Sequence, residues 1–478
     1  MALYLVILPA LVGLAALLAP SDRWRPWLLP IGSGLHLSCL ASLIRAGETV
    51  SHFDGWLVLD ATAKVFLLAI SVLHFLCMLY APGYLALRRE RPNRILCACM
   101  LASLAMMSLV VLSRHLGLMW VAVEATTLVT APSLYFNHNA RSLEATWKYL
   151  LICSVGIALA LLGSFFLAYS ALHAGLKPTL LFDDLMAAAP DLSRPWLHAA
   201  FVLLVVGYGA KMGLSPMHAW KPDAYGEAPG MVGAIMAGGV TSCVFFAILR
   251  VYQIAVRSGD GEFASRTMTF LGLLSMLTAA VFMVRQRDFK RMLAYSSVEH
   301  MGILAFGVGL GGAAIYGVLL HVINNALSKG VLFLSAGNIH RAYGSKLTEH
   351  VTGAMRGLPL SGSLFLVGFF AGCGSPPFSP FVSEFSIVAA AFRERHFVGA
   401  AIFLAALMAV FLGMGATVLG ITLGKPSRSP QHDSFADGVQ TGAPIVLLMG
   451  LVLLLGMYLP PFLSDLLNQA AQSLAANS

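Results

Sequence analysis

Glu124, Lys148, Lys211, Glu299, Lys329 and Glu384 all lie inside long apolar runs, with Lys64 near the start of another. A charge at the centre of an apolar helix costs roughly 2.5 to 3.5 kcal/mol, so six left unpaired would cost on the order of 15 to 20 kcal/mol. They must pair, neutralise or face water. Fixed ion pairs would account for one or two of them, whereas a series spread over several helices reads more simply as a relay whose sites gain and lose a proton. His321, Asn325 and Lys329 follow one another at i, i+4 and i+8, which sets them on one stripe of a helix where they could order a file of water. His321 alone would be an ordinary core histidine, but it shares its face with a lysine. Glu124 is ringed by apolar and small residues, so its charged form needs a cation from another helix, and Lys211 and Lys148 are the candidates. A static Glu124–Lys211 bridge is the plain structural alternative. Glu384 suits a terminal exchange site, with helix capping as its alternative.

The elements that must carry these residues are transmembrane helices. The chain has 478 residues, 58% hydrophobic and only 11% charged, and apolar runs of about 18 or more residues recur along its length, which excludes a soluble globule. Hydropathy sets about fourteen spans near 2–19, 27–44, 61–87, 95–113, 115–136, 145–170, 197–213, 226–256, 266–286, 290–310, 313–339, 357–392, 398–424 and 442–464. The first, Ala2 to Ala19, lacks a cleavage site after a basic start and reads as a helix rather than a removed signal. Loops after odd-numbered spans hold 17 Lys/Arg, counting Lys221 and Arg428, against 9 on the other side. Those loops should face the cytoplasm, with both termini outside, in a bacterial or archaeal inner membrane.

Two proline-rich interruptions fall inside apolar stretches, AKMGLSPMH at 210–218 and GCGSPPFSP at 372–380. They are five spans apart, and an odd offset reverses direction across the membrane. Spans 4–8 (95–257) and 9–13 (258–425) therefore read as two five-helix repeats of inverted topology, each with one broken helix, flanked by an N-terminal unit at 1–94 and a last span at 426–478. Two ordinary proline kinks would be the simpler alternative.

The net charge of +8 is scattered over short loops rather than gathered on one face, which argues against a nucleic-acid partner. The seven cysteines lie almost all within apolar runs, and Cys97 and Cys99 lack the spacing of common zinc or redox pairs. No phosphate loop, flavin site, iron–sulfur set or metal-ligand cluster is visible, so no cofactor or metal is expected and redox chemistry would belong to partners.

The stretches AKMGLSPMHAWKPDAYGEAP (210–229), QRDFKRMLAYSSVEHMG (286–302) and HVINNALSKGVLFLSAG (321–337) closely resemble the antiporter-like subunits of respiratory complex I. That family also includes subunits of Mrp-type sodium/proton antiporters and of energy-converting hydrogenases. The resemblance covers nearly the whole chain and implies fourteen helices in two inverted repeats with helices 7 and 12 broken. It makes Glu124 similar to a fifth-helix glutamate and Lys211 to a seventh-helix lysine that form a switching pair, with Lys148 similar to a sixth-helix lysine near them. Lys329 with His321 resembles the central relay of the second half, and Glu384 the twelfth-helix exit residue. His218, Glu299 and His300 lie in the matching motifs as supporting residues. The implied partners are other integral membrane subunits, a peripheral redox module, the lipid bilayer and protons, with sodium left open.

Two departures stand out. Many family members carry a lysine or histidine in the eighth helix, linking the halves, where this chain has Thr241, Ser242 and Cys243, so a continuous relay would need the hydroxyls of Thr241 and Ser242, with water, as supporting residues there. The long lateral helix of some members has no counterpart in the roughly 14 residues after the last expected span. The compact length, the SSVEHMG run and the missing lysine look most like the F subunit of hydrogenase-4-type complexes. An Mrp-like antiporter subunit, or a non-pumping scaffold for a redox or carbon-uptake partner, are the alternatives.

Overall fold

The computed structural model describes residues 2–425 and 435–475, so Arg428 and the residues around it lie outside the described part. Helices α1 (Tyr4–Leu18) and α2 (Leu28–Ala46) lead into a short antiparallel hairpin, β1 (Val50–His52) with β2 (Leu57–Leu59), in which Val50 faces Leu59. This hairpin was not expected; its Leu57, Val58 and Leu59 are buried, so it plugs one end of the bundle. Then follow α3 (Ala61–Ala86), α4 (Arg94–Leu112), α5 (Leu116–Leu134), α6 (Ala140–His173), a short α7 (Phe182–Ala188), α8 (Arg194–Met212), α9 (Trp220–Glu227), α10 (Gly230–Ile235) and α11 (Thr241–Ala255). The second part comprises α12 (Gly261–Met283), α13 (Phe289–Leu310), α14 (Ala314–Tyr343), a four-residue α15 (Ala354–Gly357), α16 (Pro359–Gly372), α17 (Ser379–Arg393), α18 (Phe397–Leu423), α19 (Val439–Met457) and α20 (Pro461–Ala475).

Among the described residues, eleven helical stretches are long and apolar enough to cross a membrane, and α1 and α16 are shorter apolar helices. One of the eleven, Gly230–Met283, holds two expected spans: Gly259, with φ of 84°, separates α11 from α12. The helices are not equivalent. The most apolar window of α14 is wholly buried, whereas that of α18 is one-third buried. Helix α14 is packed by α3, α10, α13, α16, α17 and α19, so the stripe that carries His321, Asn325 and Lys329 runs through the centre of the protein.

Both expected breaks are present. Helix α8 ends at Met212, with Gly213 at φ of 80°, and the chain resumes as α9 at Trp220; α16 ends at Gly372, with Gly374 at φ of 63°, and resumes as α17 at Ser379. A left-handed residue after the last helical turn suits glycine because it carries no Cβ. Space matters as well: a Cβ on Gly213 would overlap the Cδ and Cε of Lys221, and one on Gly374 would overlap the Glu384 carboxylate.

Two sequence expectations need correction. The last span, expected over 442–464, ends at Met457 because Pro460 and Pro461 stop the helix and keep the residues before them extended. The chain restarts as α20, which buries Leu463, Leu466, Leu467 and Ala470 against α3 and α14. Lys221, counted among the exposed cytoplasmic charges, has no accessible surface. The polar run around Lys221, Pro222 and Asp223 reads as a loop, yet Pro222 sits in the first turn of α9, where proline is tolerated, and the half-helix returns into the bundle.

The basic residues, expected to be scattered, gather in part, and they do so among the acidic Glu144, Asp223, Glu227 and Asp288. Arg88, Arg91, Arg141, Arg287, Arg291 and Lys346, all from loops after odd-numbered spans, line one cavity of about 790 Å³. At another end of the helices, Asp60 caps α3 by accepting the Ala63 N–H at 2.8 Å and accepts Arg114 at 2.6 Å and Arg250 at 2.5 Å, tying α3, the start of α5 and α11 together.

Candidate functional site

Lys211 lies in the last turn of α8, fully buried, where the exposed carbonyls of a helix C-terminus favour a cation. Trp220 Nε1 donates to the Ala210 carbonyl at 2.9 Å, satisfying one of the groups that the break sets free. The Lys211 ammonium donates to Thr127 Oγ1 at 2.9 Å and to the Tyr149 hydroxyl at 2.5 Å, and stands 4.4 Å from the centre of the Tyr149 ring. Glu124, one turn before Thr127 on α5, is half-buried; its carboxylate accepts from Ser154 Oγ at 2.7 Å and, at 3.4 Å, from Thr127 Oγ1. Lys211 and Glu124 form no ion pair within 4 Å. A single hydroxyl joins them, accepting from the lysine and donating to the glutamate, which is the geometry of a one-step proton relay.

In the second half, Lys329 on α14 donates to Ser296 Oγ on α13 at 2.6 Å. Two turns earlier His321 Nε2 lies 2.9 Å from His300 Nδ1, and their rings stack with centroids 5.1 Å apart. His300 Nε2 is 3.1 Å from the Gly372 carbonyl at the second break, and His321 Nδ1 is 2.9 Å from Ser383 Oγ on α17. A carbonyl only accepts, so His300 carries its proton on Nε2, its Nδ1 accepts from His321 Nε2–H, and His321 Nδ1 faces the serine hydroxyl. The imidazoles thus form an oriented chain from α17 through α14 and α13 to the end of α16. Glu299, Asn325 and Glu384 surround it, all nearly or fully buried, with Glu299 Oε2, Glu384 Oε1 and both Asn325 amide atoms lacking a protein partner. Buried polar atoms of this kind are costly unless water joins them, and here they cluster along one path.

A family model described as NADH:quinone oxidoreductase/Mrp antiporter, transmembrane, matches residues 113–411, more than half of the chain and both lysine sites. The chain belongs to that family. Among its relatives is a "Hydrogenase-4 component F homolog" of Methylacidiphilum infernorum (isolate V4), 32% identical over 95% of this chain and 96% of the relative. The fold is shared with a chain of the Mrp complex from Dietzia sp. DQ12-45-1b, with a TM-score of 0.87 at 21% identity over 99% of this chain and 97% of that one. It is shared too with a chain of respiratory complex I from Thermus thermophilus, with a TM-score of 0.85 at 23% identity over 100% and 99% of the two chains. This is a multi-pass membrane protein, an antiporter-like subunit of the complex I, Mrp and hydrogenase-4 family.

Not every residue named from the sequence of this antiporter-like subunit joins the two buried sites. Lys148 is 44% exposed at the cavity mouth, paired with Glu144 at 2.6 Å and Asp223 at 2.8 Å rather than with Glu124. It precedes Tyr149, but it points out of the bundle while the tyrosine points in. His218 sits half-buried in the first break beside the rings of Phe282 and Tyr295, outside the hydrogen-bond chain. Thr241 and Ser242 donate to the carbonyls of Ala237 and Gly238 in their own helix, at 2.6 and 2.7 Å. Lys64, near the hairpin end, donates to the Glu48 carbonyl.

Other residues join the sites without being assigned to them from the sequence: Thr127, Tyr149, Ser154, Ser296, Ser297, Ser383 and Lys221, the last counted only as a loop charge. Only Thr127 carries a local signal, at i+3 from Glu124. As for metals, the ligand atoms of His300, His321 and Glu384 lie within 4.8 Å of one another, but the two imidazoles already satisfy each other by hydrogen bonding.

Proposed function

We propose that this chain carries protons across a bacterial or archaeal cytoplasmic membrane as one subunit of a redox-driven complex of the hydrogenase-4 or complex I-related kind, alongside other membrane subunits and a peripheral redox module. The observation that carries the reading is the buried Lys211, whose ammonium reaches Glu124 only through the Thr127 hydroxyl. A fixed bridge would gain more by direct contact, whereas a hydroxyl between the partners lets their separation change and lets a proton pass. In this mechanism a charge arriving from a neighbouring subunit draws Glu124 away from Lys211, the ammonium gives up its proton toward the second half, and the proton leaves by Lys329, the histidine pair and Glu384. The similarity to a hydrogenase-4 component F homolog supports that parent assembly. The same reading takes 95–257 and 258–425 as inverted repeats and sets both termini outside, from the excess of basic residues around the shared cavity.

The test is the complex isolated with its co-purifying subunits and sealed into vesicles. Glu124→Gln should leave redox turnover running while proton uptake falls, and full uptake in that variant removes Glu124 from the mechanism. One observation favours a second reading, a non-pumping scaffold: the eighth-span hydroxyls of Thr241 and Ser242 turn back onto their own helix and do not link the halves.

A further inference from the structure

A buried lysine outside the eighth span lies between the two sites. Lys221 is the second residue of α9, and α9 packs against both α6 and α13, the helices that carry Tyr149 and Ser296. Its side chain is fully buried, its stem runs through the space that a Cβ on Gly213 would need, and its ammonium donates to Ser297 Oγ at 3.1 Å. Gly213 is two residues beyond Lys211. Ser297 is next to Ser296, whose hydroxyl accepts from Lys329 at 2.6 Å. The neighbour of Lys221, Trp220, lies against Tyr149 with ring centres 5.0 Å apart and the ring planes inclined at 49°, and Tyr149 holds Lys211. One long, flexible side chain therefore runs from beside the end of α8 to Ser297, the neighbour of the serine that holds Lys329.

We propose that Lys221 is the carrier that hands protons from the Lys211 site to the Lys329 site, taking the place of an ionisable residue on the eighth span. This rests on the proton-relay reading above. The step balances simply: Lys211 ammonium releases one proton, the Lys221 amine takes it on its lone pair, and the new ammonium passes a proton by way of the Ser297 and Ser296 hydroxyls to a neutral Lys329. Charge moves by one and no bond between heavy atoms changes. The structural alternative is a fixed cation completing the carbonyl end of α8, since the Lys221 ammonium lies beside Gly213. The two differ in what arginine does, because arginine keeps the charge and the stem but does not release its proton.

The experiment measures proton uptake per redox turnover by vesicles holding the complete complex, with Lys211→Met as the reference for the relay itself. Lys221→Met and Lys221→Arg are each expected to lower uptake by about tenfold or more, as loss of an essential proton carrier does. Lys221→His should restore part of the flow with its pH profile moved to the acid side, as expected of a group titrating near pH 6.5. Ser297→Ala, which removes only a hydroxyl, should slow uptake while the complex assembles normally, and keeps the test open if the lysine variants fold poorly. Unaltered uptake in Lys221→Arg or in Ser297→Ala overturns the proposal in favour of a fixed cation. Unaltered uptake in Lys221→Met while Lys211→Met is inactive overturns it and leaves the relay standing. If Lys211→Met also pumps normally, the relay reading falls with it.

Discussion

Thr127→Val removes one hydroxyl and keeps the branched shape, so it isolates the link between Lys211 and Glu124. In the native protein Thr127 Oγ1 accepts from the Lys211 ammonium at 2.9 Å and donates to Glu124 at 3.4 Å. The first is a bond to a charged group, worth about 1.5 to 3 kcal/mol, and the second is long and adds little. Lys211 keeps its bond to the Tyr149 hydroxyl, so the fold should survive the change. Taking 1.4 kcal/mol as a factor of ten, the lost bond corresponds to a change of roughly 10- to 100-fold in the equilibrium that couples the two side chains. Proton uptake per turnover should fall by a factor in that range. Thr126→Val is the control, because that neighbouring hydroxyl donates only to the Val123 carbonyl of its own helix at 2.7 Å. Equal uptake in the two valine variants would refute the bridging role of Thr127, as would assembly failure in both, which would make the hydroxyls packing features of α5.

Lys211→Arg should assemble but fail to move protons, since guanidinium holds its proton at any accessible pH; uptake assays on vesicles decide this, and full activity would make Lys211 a fixed counter-charge. Lys148→Ala should change proton uptake by less than about fivefold, because a 44% exposed lysine in surface ion pairs contributes about 1 kcal/mol or less; a large loss would bring the cavity mouth into the path. Asp60→Asn should lower stability by about 3 kcal/mol, because it leaves Arg250 without its carboxylate partner, and thermal unfolding in detergent reads it. Burial raises the Asp60 carboxyl, but the Arg250 and Arg114 guanidiniums and the Ala63 N–H outweigh it and hold the group below the usual carboxylate range. With the folded value below the unfolded one of about 3.9, this stabilisation is complete above that pH and is lost as the pH falls through the lower folded value, so Asp60→Asn should flatten the acid limb of the stability profile.

Much of this architecture is legible in the sequence because the bilayer imposes it. Long apolar runs must be helices, and the runs where glycine and proline cluster, at 213–216 and 374–377, break them, whereas lone prolines such as Pro82 and Pro132 stay inside α3 and α5, so spans and breaks follow from local composition. The stripe of His321, Asn325 and Lys329 is legible for the same reason: spacing within one helix decides which face it shares. What packs against that stripe is not. His300 is an ordinary polar residue of a motif until α13 crosses α14 and brings its Nδ1 to 2.9 Å from His321 Nε2. Thr127, Tyr149 and Ser154 are hidden likewise, since hydroxyls are common in apolar helices and usually bond their own backbone, as Thr126 and Ser164 do. Lys148 and Lys221 fail in opposite directions. Hydropathy averages over both helix faces, so Lys148 reads as lying within a span although it points to the mouth. Lys221 falls in a polar, proline-containing run that reads as loop, although the half-helix carries it back to the centre of the bundle.

The claim that the buried charges conduct rather than merely hold the helices together is tested most directly by the ratio of protons taken up to redox turnovers in vesicles of the complete complex. Lys211→Ala, Lys329→Ala and Glu384→Gln each remove one site from the path while leaving most of its packing in place. A proton path predicts that each variant retains assembly but pumps at a ratio well below that of the unmodified complex. Unmodified ratios in all three would contradict it and leave the buried charges as structural features of a membrane scaffold.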